Sequence, residues 1–473
     1  MTRSPKEMLG AWPEPLLIDD VRPAEQLSAT RPRVGVVLAA GLSSRMAVAT
    51  GGGSKTLLSL GGLSLVERAM RRLLALGLER VIVVVGHDAE PVADIVNRSA
   101  PGRIVAVFAD RWAEGNGVSL AAAAPHLEGE ELFLLVTADH VFSDGALEAL
   151  LEAGGPAGLV DLAPSAEAWA EGTRVRLHQA RAVAFGKELD DPSIDCGAFV
   201  FSSAVFAAQA RAELAGDGTL AGAVTALAET SPIEAVPVAA HGWWFDVDTP
   251  DDLRSVERAL RRSLVKREDG PVSRYVNRPL STRLSMLLSP LRPNPDLLSW
   301  FALAVGLVAA FLLALGQGIA GGLLVWVGSV LDGMDGEAAR LQIRESPVGA
   351  LLDGVLDRVT DTVVLAGLAI WAVRDGASPE VTVGLCATAV AASILSMASK
   401  DRIAALGLAP APEGMLGWLL GGRDGRLLIV TIGALLGGPM IALSVIVATG
   451  ALTLVLRLIL VGRLTGSARR APR

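Results

Sequence analysis

The chain has 473 residues, a formal net charge of −8 and a mean hydropathy of +0.46. It is too long for one ordinary core and too apolar for a wholly soluble protein of that size, and its acidic balance speaks against a nucleic-acid partner. Only two cysteines occur, Cys196 and Cys386, far apart in the chain, so a disulfide framework is excluded and a reducing compartment fits.

Met1 to Thr30 mixes Pro, Asp, Glu and Arg and has no apolar stretch of signal-peptide length, so residues 1–30 are expected to be an extension of a domain that stays in the cytosol. From Arg33 onward, β-branched runs alternate with amphipathic stretches. The runs are VGVVLAAG, Val81 to Gly86, Ile104 to Phe108 and Leu132 to His140, a spacing that predicts a parallel α/β sheet across residues 31–265. Ligands gather at the carboxyl ends of such strands, and each run ends in Gly, Asp or His.

The first strand runs into Leu38-Ala39-Ala40-Gly41-Leu42-Ser43-Ser44-Arg45-Met46, with Lys55 downstream. Small residues let backbone amides approach a triphosphate, while Arg45 and Lys55 suit the phosphates and the pyrophosphate leaving group. Gly51 to Thr56 is no P-loop, because Ser54 stands where that motif needs Gly and no strand leads directly into it. Asp139 ends a strand and is expected to hold a magnesium ion; Asp248, and after it Asp246, offers a second carboxylate. His87, His126, His178 and His241 carry no metal-ligand spacing and read as surface or packing residues.

LAAGxxxRM, the downstream lysine, Gly115-Asn116-Gly117-Val118-Ser119 and Ala138-Asp139-His140 occur in the order seen in sugar-phosphate and alcohol-phosphate nucleotidyltransferases, which this part of the chain resembles from about Arg33 to Arg254. The resemblance implies a Rossmann-like fold and adds Asn116, Ser119 and Lys187 of Phe185-Gly186-Lys187 as nucleotide- or phosphate-binding positions. Asp195-Cys196-Gly197 looks like an acceptor-side segment. The chain departs from the family in lacking Pro beside Lys55 and in its Gly-rich insertion before it.

Residues 266–292 are basic, and Asn277 to Arg283 begins an amphipathic stretch expected to lie on the cytosolic membrane surface as a linker. Beyond it, Leu297 to Leu331 and Leu427 to Leu456 are uncharged and long enough to cross a hydrocarbon layer of roughly 30 Å more than once if they turn, at Gln317-Gly318 and Gly437-Gly438-Pro439. With Val348 to Val373 and Val381 to Ser399, about six membrane helices are expected in residues 293–473. The Arg- and Lys-rich stretch Arg254 to Arg292 and the tail from Arg457, with five Arg and no acid, place both on the cytosolic side of the inner membrane.

Asp332-Gly333-Met334-Asp335-Gly336-Glu337-Ala338-Ala339-Arg340, then Gly349, Asp353 and Asp357, has two carboxylates at i, i+3 and two at i, i+4. Each pair shares a helix face, and four carboxylates converge if the helices form an antiparallel hairpin. Such a cluster at a membrane edge demands cations, so a two-metal magnesium or manganese site is expected at Asp332, Asp335, Asp353 and Asp357. Gly336 and Ala339 keep the wall thin enough for a ligand to lie against the backbone, and Arg340 suits a phosphate. Asp361 continues the face one turn later. Lys400, Arg402, Arg423 and Arg426 are basic residues placed where a phosphorylated acceptor would want them.

This pattern reproduces the CDP-alcohol phosphotransferase signature, and the resemblance implies that Gly336, Ala339 and Arg340 line a cytidine diphosphate and that Asp357 is the base. A nucleotidyltransferase followed by this membrane fold resembles the bifunctional inositol-1-phosphate cytidylyltransferases and di-myo-inositol-phosphate phosphate synthases. That resemblance covers nearly the whole chain. It implies that CTP and inositol 1-phosphate give CDP-inositol and pyrophosphate, and that phosphoinositol then passes to a second inositol 1-phosphate with release of CMP. Transfer of another polyol phosphate to a lipid acceptor is the alternative, and a homodimer through the membrane domain is a further expectation.

Overall fold

The computed structural model describes residues 31–41, 53–100, 102–266, 268–405, 416, 418 and 420–468. Its N-terminal half is built on a nine-stranded sheet. Strands Val34–Ala39, Arg80–Val85, Ile104–Phe108 and Leu132–Thr137 form its parallel part, with Val34–Ala39 between Arg80–Val85 and Leu132–Thr137. Alternation explains why these runs are apolar throughout: Val37 and Ala39 enter a core on one face with Val83 and Leu134, and Val36 and Leu38 enter another with Ile82 and Phe133. The purely parallel sheet expected from the runs is corrected on the far side. Ser193–Ser202 inserts antiparallel between Leu132–Thr137 and Ala157–Asp161, a pairing that local spacing does not announce.

Helix α1 (Leu65–Ala75) starts at Ser64, whose hydroxyl accepts from Glu67 N, and buries Val66, Met70 and Leu73 against the sheet. Helix α2 (Pro250–Ser263) closes the half with a capping box between Thr249 and Asp252 and a proline in its first turn. After a π-helical turn comes α3 (Arg278–Leu288), the amphipathic element expected there.

Among the described residues there follow α4 (Pro295–Ala314), α5 (Gly318–Leu341), α6 (Pro347–Arg374), α7 (Pro379–Ala405), α8 (Arg423–Leu435) and α9 (Pro439–Ala468). The turns fall at Gln317 and Gly437-Gly438, as the sequence pattern requires. By length and composition, three stretches among the described residues could cross a membrane, Pro295–Ala314, Pro379–Ile403 and Pro439–Arg463. Helices α5 and α6 carry the aspartates, and the 13 residues of α8 reach only about 20 Å. Small residues let the bundle close, since a Cβ on Gly367 would stand 2.3 Å from the Ala310 carbonyl oxygen of α4. Trp300, Phe301, Phe311, Val348, Leu351, Val383 and Leu458 stay exposed, the large apolar surface of a membrane-associated protein.

The two halves are joined through α1. Glu67, buried, accepts from Arg71 at 2.8 Å and from Arg292 Nη2 at 2.7 Å, while Arg292 Nε donates to Gly62 O at 2.6 Å. Arg68 Nη2 and Arg71 Nη1 donate to Leu341 O and Gln342 O at the end of α5, at 3.0 and 2.9 Å. Gly62 has φ +85°, and a Cβ there would lie 2.2 Å from Ser289 O, so glycine permits this approach.

Helix α3 is held to α5 by a buried acid. Glu337, wholly buried, accepts from Arg278 Nη1 at 2.8 Å, Ser281 Oγ at 2.6 Å and Ser285 Oγ at 2.7 Å, and Gly333 leaves room for Arg278 one turn earlier. Removing the acceptor strands two buried hydroxyls and one arm of Arg278, which keeps Asp269. Glu337→Ala is expected to lower stability by about 3–5 kcal/mol, the usual cost of breaking one side of a buried ion pair. Thermal unfolding of the detergent-solubilised protein measures this, with Ser281→Ala expected to cost a fraction as much.

Candidate active sites

In the soluble half, the parallel strand Leu132–Thr137 delivers Asp139 just beyond its carboxyl end, where Ala138 N still bonds Leu38 O at 3.0 Å. A two-stranded ladder follows. His140–Phe142 pairs antiparallel with Trp244–Asp246 so that His140 stands opposite Asp246, and Val247 N bonds Asp139 O at 3.1 Å. Trp244 stacks on the imidazole with centroids 5.4 Å apart. Gly197, at φ +72°, clears space for the ring: a Cβ would lie 2.6 Å from Thr137 Oγ1 and 3.1 Å from His140.

Lys55 opens a 3-10 turn whose preceding Ser54 N is held by Asp88 Oδ2 at 2.6 Å. Its ammonium lies 2.7 Å from Asp139 Oδ2 and 3.9 Å from Asp246 Oδ1, and it is ion-paired with Asp248. Burial works to lower the Lys55 pKa, but Asp139, Asp246 and Asp248 outweigh it and hold the ammonium well above its ordinary range. Burial would likewise raise Asp139, yet His140 and Lys55 keep its carboxylate far below the usual range. His140 is lifted to about 9 against its own burial by Asp246 and Asp139. Asp246 is pushed up to about 6, by burial first and by the nearby Asp139 against the pull of His140 and Lys55.

Asp139, His140 and Asp246 each offer a ligand atom, all within 4.8 Å of one another. Asp246 Oδ1 is buried and has no hydrogen-bond partner among the described residues. Carboxylate and imidazole donors with a lone buried oxygen suit a divalent cation. The structure groups Asp246 with Asp139 and His140 and pairs Asp248 with Lys55, where the sequence put Asp248 before Asp246. His140 was missed there, although its place directly after a strand-end aspartate was the available signal.

Leu38, Ala39 and Ala40 are buried at the strand end and Gly41 is exposed beside them, open enough that a Cβ would meet nothing. Arg45 lies outside the described residues. Asn116 Oδ1 accepts from Leu220 N at 2.7 Å and buried Ser119 donates to Gly115 O at 3.0 Å, so both secure the local helix. Lys187 is exposed in the turn after its strand.

In the membrane half, α5 and α6 both pack on α4 and bring their aspartates together. Ligand atoms of Asp332, Asp353 and Asp357 fall within 4.8 Å of one another. Asp335, the fourth, accepts from Ser299 Oγ and from Gly336 N, each at 2.5 Å. The Arg423 guanidinium from α8 is ion-paired with Asp332, 2.9 Å from Asp357 Oδ1 and 3.5 Å from Asp361 Oδ1. Asp357 Oδ1 nonetheless has no hydrogen bond among the described residues. Three converging carboxylates with such an oxygen fit a divalent cation here too.

Asp361 is more than an onlooker. It is buried, and its Oδ2 accepts from Arg426 at 2.8 Å and from Ser393 at 2.6 Å, with Arg358 3.7 Å away. Of the four basic residues expected around an acceptor, the structure brings Arg423 and Arg426 to the aspartates and leaves Lys400 and Arg402 exposed near the end of α7. Arg340 Nη2 donates to Leu264 O at 3.1 Å, and its guanidinium flanks Gly336. Ala339 is half-buried.

A family model for a MobA-like NTP transferase domain matches residues 35–169, and one for CDP-alcohol phosphatidyltransferases matches residues 293–460. The chain is similar to a bifunctional IPC transferase and DIPP synthase of Rubrobacter xylanophilus, 36% identical over 434 residues, covering 89% of this chain and 95% of that one. A protein of the same name from Aquifex aeolicus is 32% identical, covering 71% of this chain and 76% of its own. A solved structure, the inositol-1-phosphate CTP transferase from T. maritima, covers 48% of this chain and 95% of that one at 24% identity with a TM-score of 0.44. With both matched regions on one chain and aligned along almost the full length of such a relative, this protein belongs to the family of bifunctional IPC transferases and DIPP synthases.

Proposed function

We propose that the chain catalyses two successive phosphoryl-centred transfers, the first in residues 31–265 and the second in residues 293–473, with 266–292 as the linker. In the first, a phosphate oxygen of inositol 1-phosphate attacks the α-phosphorus of CTP. The bond to the β-phosphate bridge breaks, giving CDP-inositol and pyrophosphate. In the second, a hydroxyl of another inositol 1-phosphate attacks the phosphorus bearing inositol in CDP-inositol. The bond to CMP breaks, and the hydroxyl proton passes to a carboxylate.

The observation that carries the reading is the presence on one chain of two carboxylate groupings, Asp139 with Asp246 and Asp332 with Asp353 and Asp357, each threaded by a basic side chain. Lys55, and Arg45 with it, would neutralise the triphosphate and the departing pyrophosphate, with the Leu38 to Gly41 turn, Asn116, Ser119 and Lys187 around the nucleotide. Asp357, the last of the four signature aspartates, has the base role by resemblance to the family. Gly336, Ala339 and Arg340 line the cytidine diphosphate, and Arg423 and Arg426, with Lys400 and Arg402 further out, attract the acceptor phosphate. Magnesium or manganese, one ion at Asp139, His140 and Asp246 and two at Asp332, Asp335, Asp353 and Asp357, would supply charge neutralisation at the reacting phosphates. The basic stretch before α4 supports an inner-membrane protein with both sites facing the cytosol, and the exposed apolar flanks leave room for a homodimer within the bilayer.

Two measurements test the assignments. Asp246→Asn is expected to raise the manganese concentration that half-saturates pyrophosphate release by about 10- to 100-fold, more than Asp248→Asn does. The reverse ranking would place the ion against Asp248. Asp357→Asn is expected to slow CMP release by about 100- to 10,000-fold, the usual worth of a general base, while pyrophosphate release continues and CDP-inositol accumulates on mass analysis. Near-normal CMP release by that variant would remove Asp357 from the base role.

A further inference from the structure

A cavity of about 260 Å³ lies where the two halves meet. Arg68 and Arg72 of α1 line it from one side and Arg340 and Glu345 from the other, with Asp144 at its edge, Leu147 and Trp243 in its wall, and His140 of the soluble-half site also lining it. Arg72 is neutralised by Asp144 at 2.6 Å. Arg68 is not so provided for: it is only 5% exposed, its Nη2 is spent on the carbonyls of Leu60 and Leu341, and its Nε has no partner among the described residues. Arg340 Nε is equally buried and unpartnered.

Buried guanidinium nitrogens without acceptors are costly, and three cations here face two carboxylates. The volume falls below the roughly 300–1,000 Å³ of sites for drug-sized ligands, which selects a small anion over a nucleotide. We propose that this junction is a binding site for a small phosphorylated anion, gripped by Arg68 and Arg340 together, bordering the soluble-half site at His140 and sharing Arg340 with the proposed cytidine diphosphate pocket. Burial and the adjacent Arg72 and Arg71 push the Arg68 pKa down to about 9, against the pull of Glu67, so an anion at its Nε would relieve an existing strain of charge. Because each half contributes one of the two guanidinium groups, occupancy would fasten the halves to each other. The apolar wall from the soluble core makes the ligand a free phosphate or phosphate ester and not a lipid headgroup.

The test is calorimetric titration of the full-length protein in detergent with inorganic phosphate, in EDTA to suppress binding at the carboxylate clusters. Wild type is expected to show a binding event that Arg68→Gln weakens by about 10- to 100-fold, the usual worth of a charge-assisted hydrogen bond. Arg68→Lys, which keeps the charge, should retain more of it than Arg68→Gln, and Asp332→Asn should leave it unchanged. Ser263 is exposed on the cavity rim, so Ser263→Glu keeps every arginine and the fold while repelling an anion, and should weaken binding similarly. Undiminished phosphate binding in Ser263→Glu, or equal binding in folded Arg68→Gln and wild type, overturns the proposal. So does a phosphate response in phosphatidylcholine nanodiscs that added phosphatidic acid abolishes, which would give the site to a lipid.

Discussion

Carboxylates held a few ångströms apart repel one another by about 1–4 kcal/mol per pair even where solvent screening is substantial, and more as the surroundings dry out. The architecture of this chain is organised around that cost, met twice with the same device. At the end of a parallel sheet, Lys55 is drawn into Asp139, Asp246 and Asp248; in the helical half, Arg423 is drawn into Asp332, Asp357 and Asp361. The choice of cation suits each place. Lysine is a compact charge on a flexible stem that one short turn can deliver, whereas a planar guanidinium spans three carboxylates from a neighbouring helix.

Each cation is in turn placed by structure remote from the carboxylates. Lys55 depends on the turn fixed by Ser54 and Asp88, and the acids it meets depend on the ladder that sets His140 against Asp246. Arg423 starts α8, and the adjoining Asp424 is bonded by Asn277 and Ser329, so the linker and α5 both fix where α8 begins. The same α5 holds α3 through Glu337 and receives α1 at Leu341. From Asp332 to Leu341 is nine residues, about 13.5 Å of helix, so the membrane site and the inter-domain seam are two ends of one rigid rod.

How much of this the sequence discloses follows from the range of the interaction. The strand runs, the turns at Gln317 and Gly437 and the aspartates at helical spacing are local, and they are legible because period and punctuation are written along the chain. The antiparallel entry of Ser193–Ser202 into the sheet is not, because pairing with strands more than thirty positions away leaves no local mark. His140 escapes a search by spacing, since its partner Asp246 is brought to it only by the ladder. Asn116 and Ser119, singled out by resemblance, each also bond the backbone, a contact that spacing does not announce. Arg340 likewise touches Leu264 across the seam, a contact that needs both halves in place.

Asp361 shows why a motif's edge is a poor guide to importance. It falls beyond the signature, yet it is the acid around which Arg426, Ser393, Arg358 and Arg423 gather. Its burial among cations gives it a different task from Asp357, one turn earlier. Each leaves its Oδ1 without a hydrogen bond among the described residues, and what separates them is the other oxygen, which in Asp361 accepts from Arg426 and Ser393. The helical repeat thus presents two aspartates on one face, and Ser393 of α7 and Arg426 of α8 close over an oxygen of Asp361. That difference is made by neighbours one and two helices further along the chain, and not by the spacing that first draws attention to the pair.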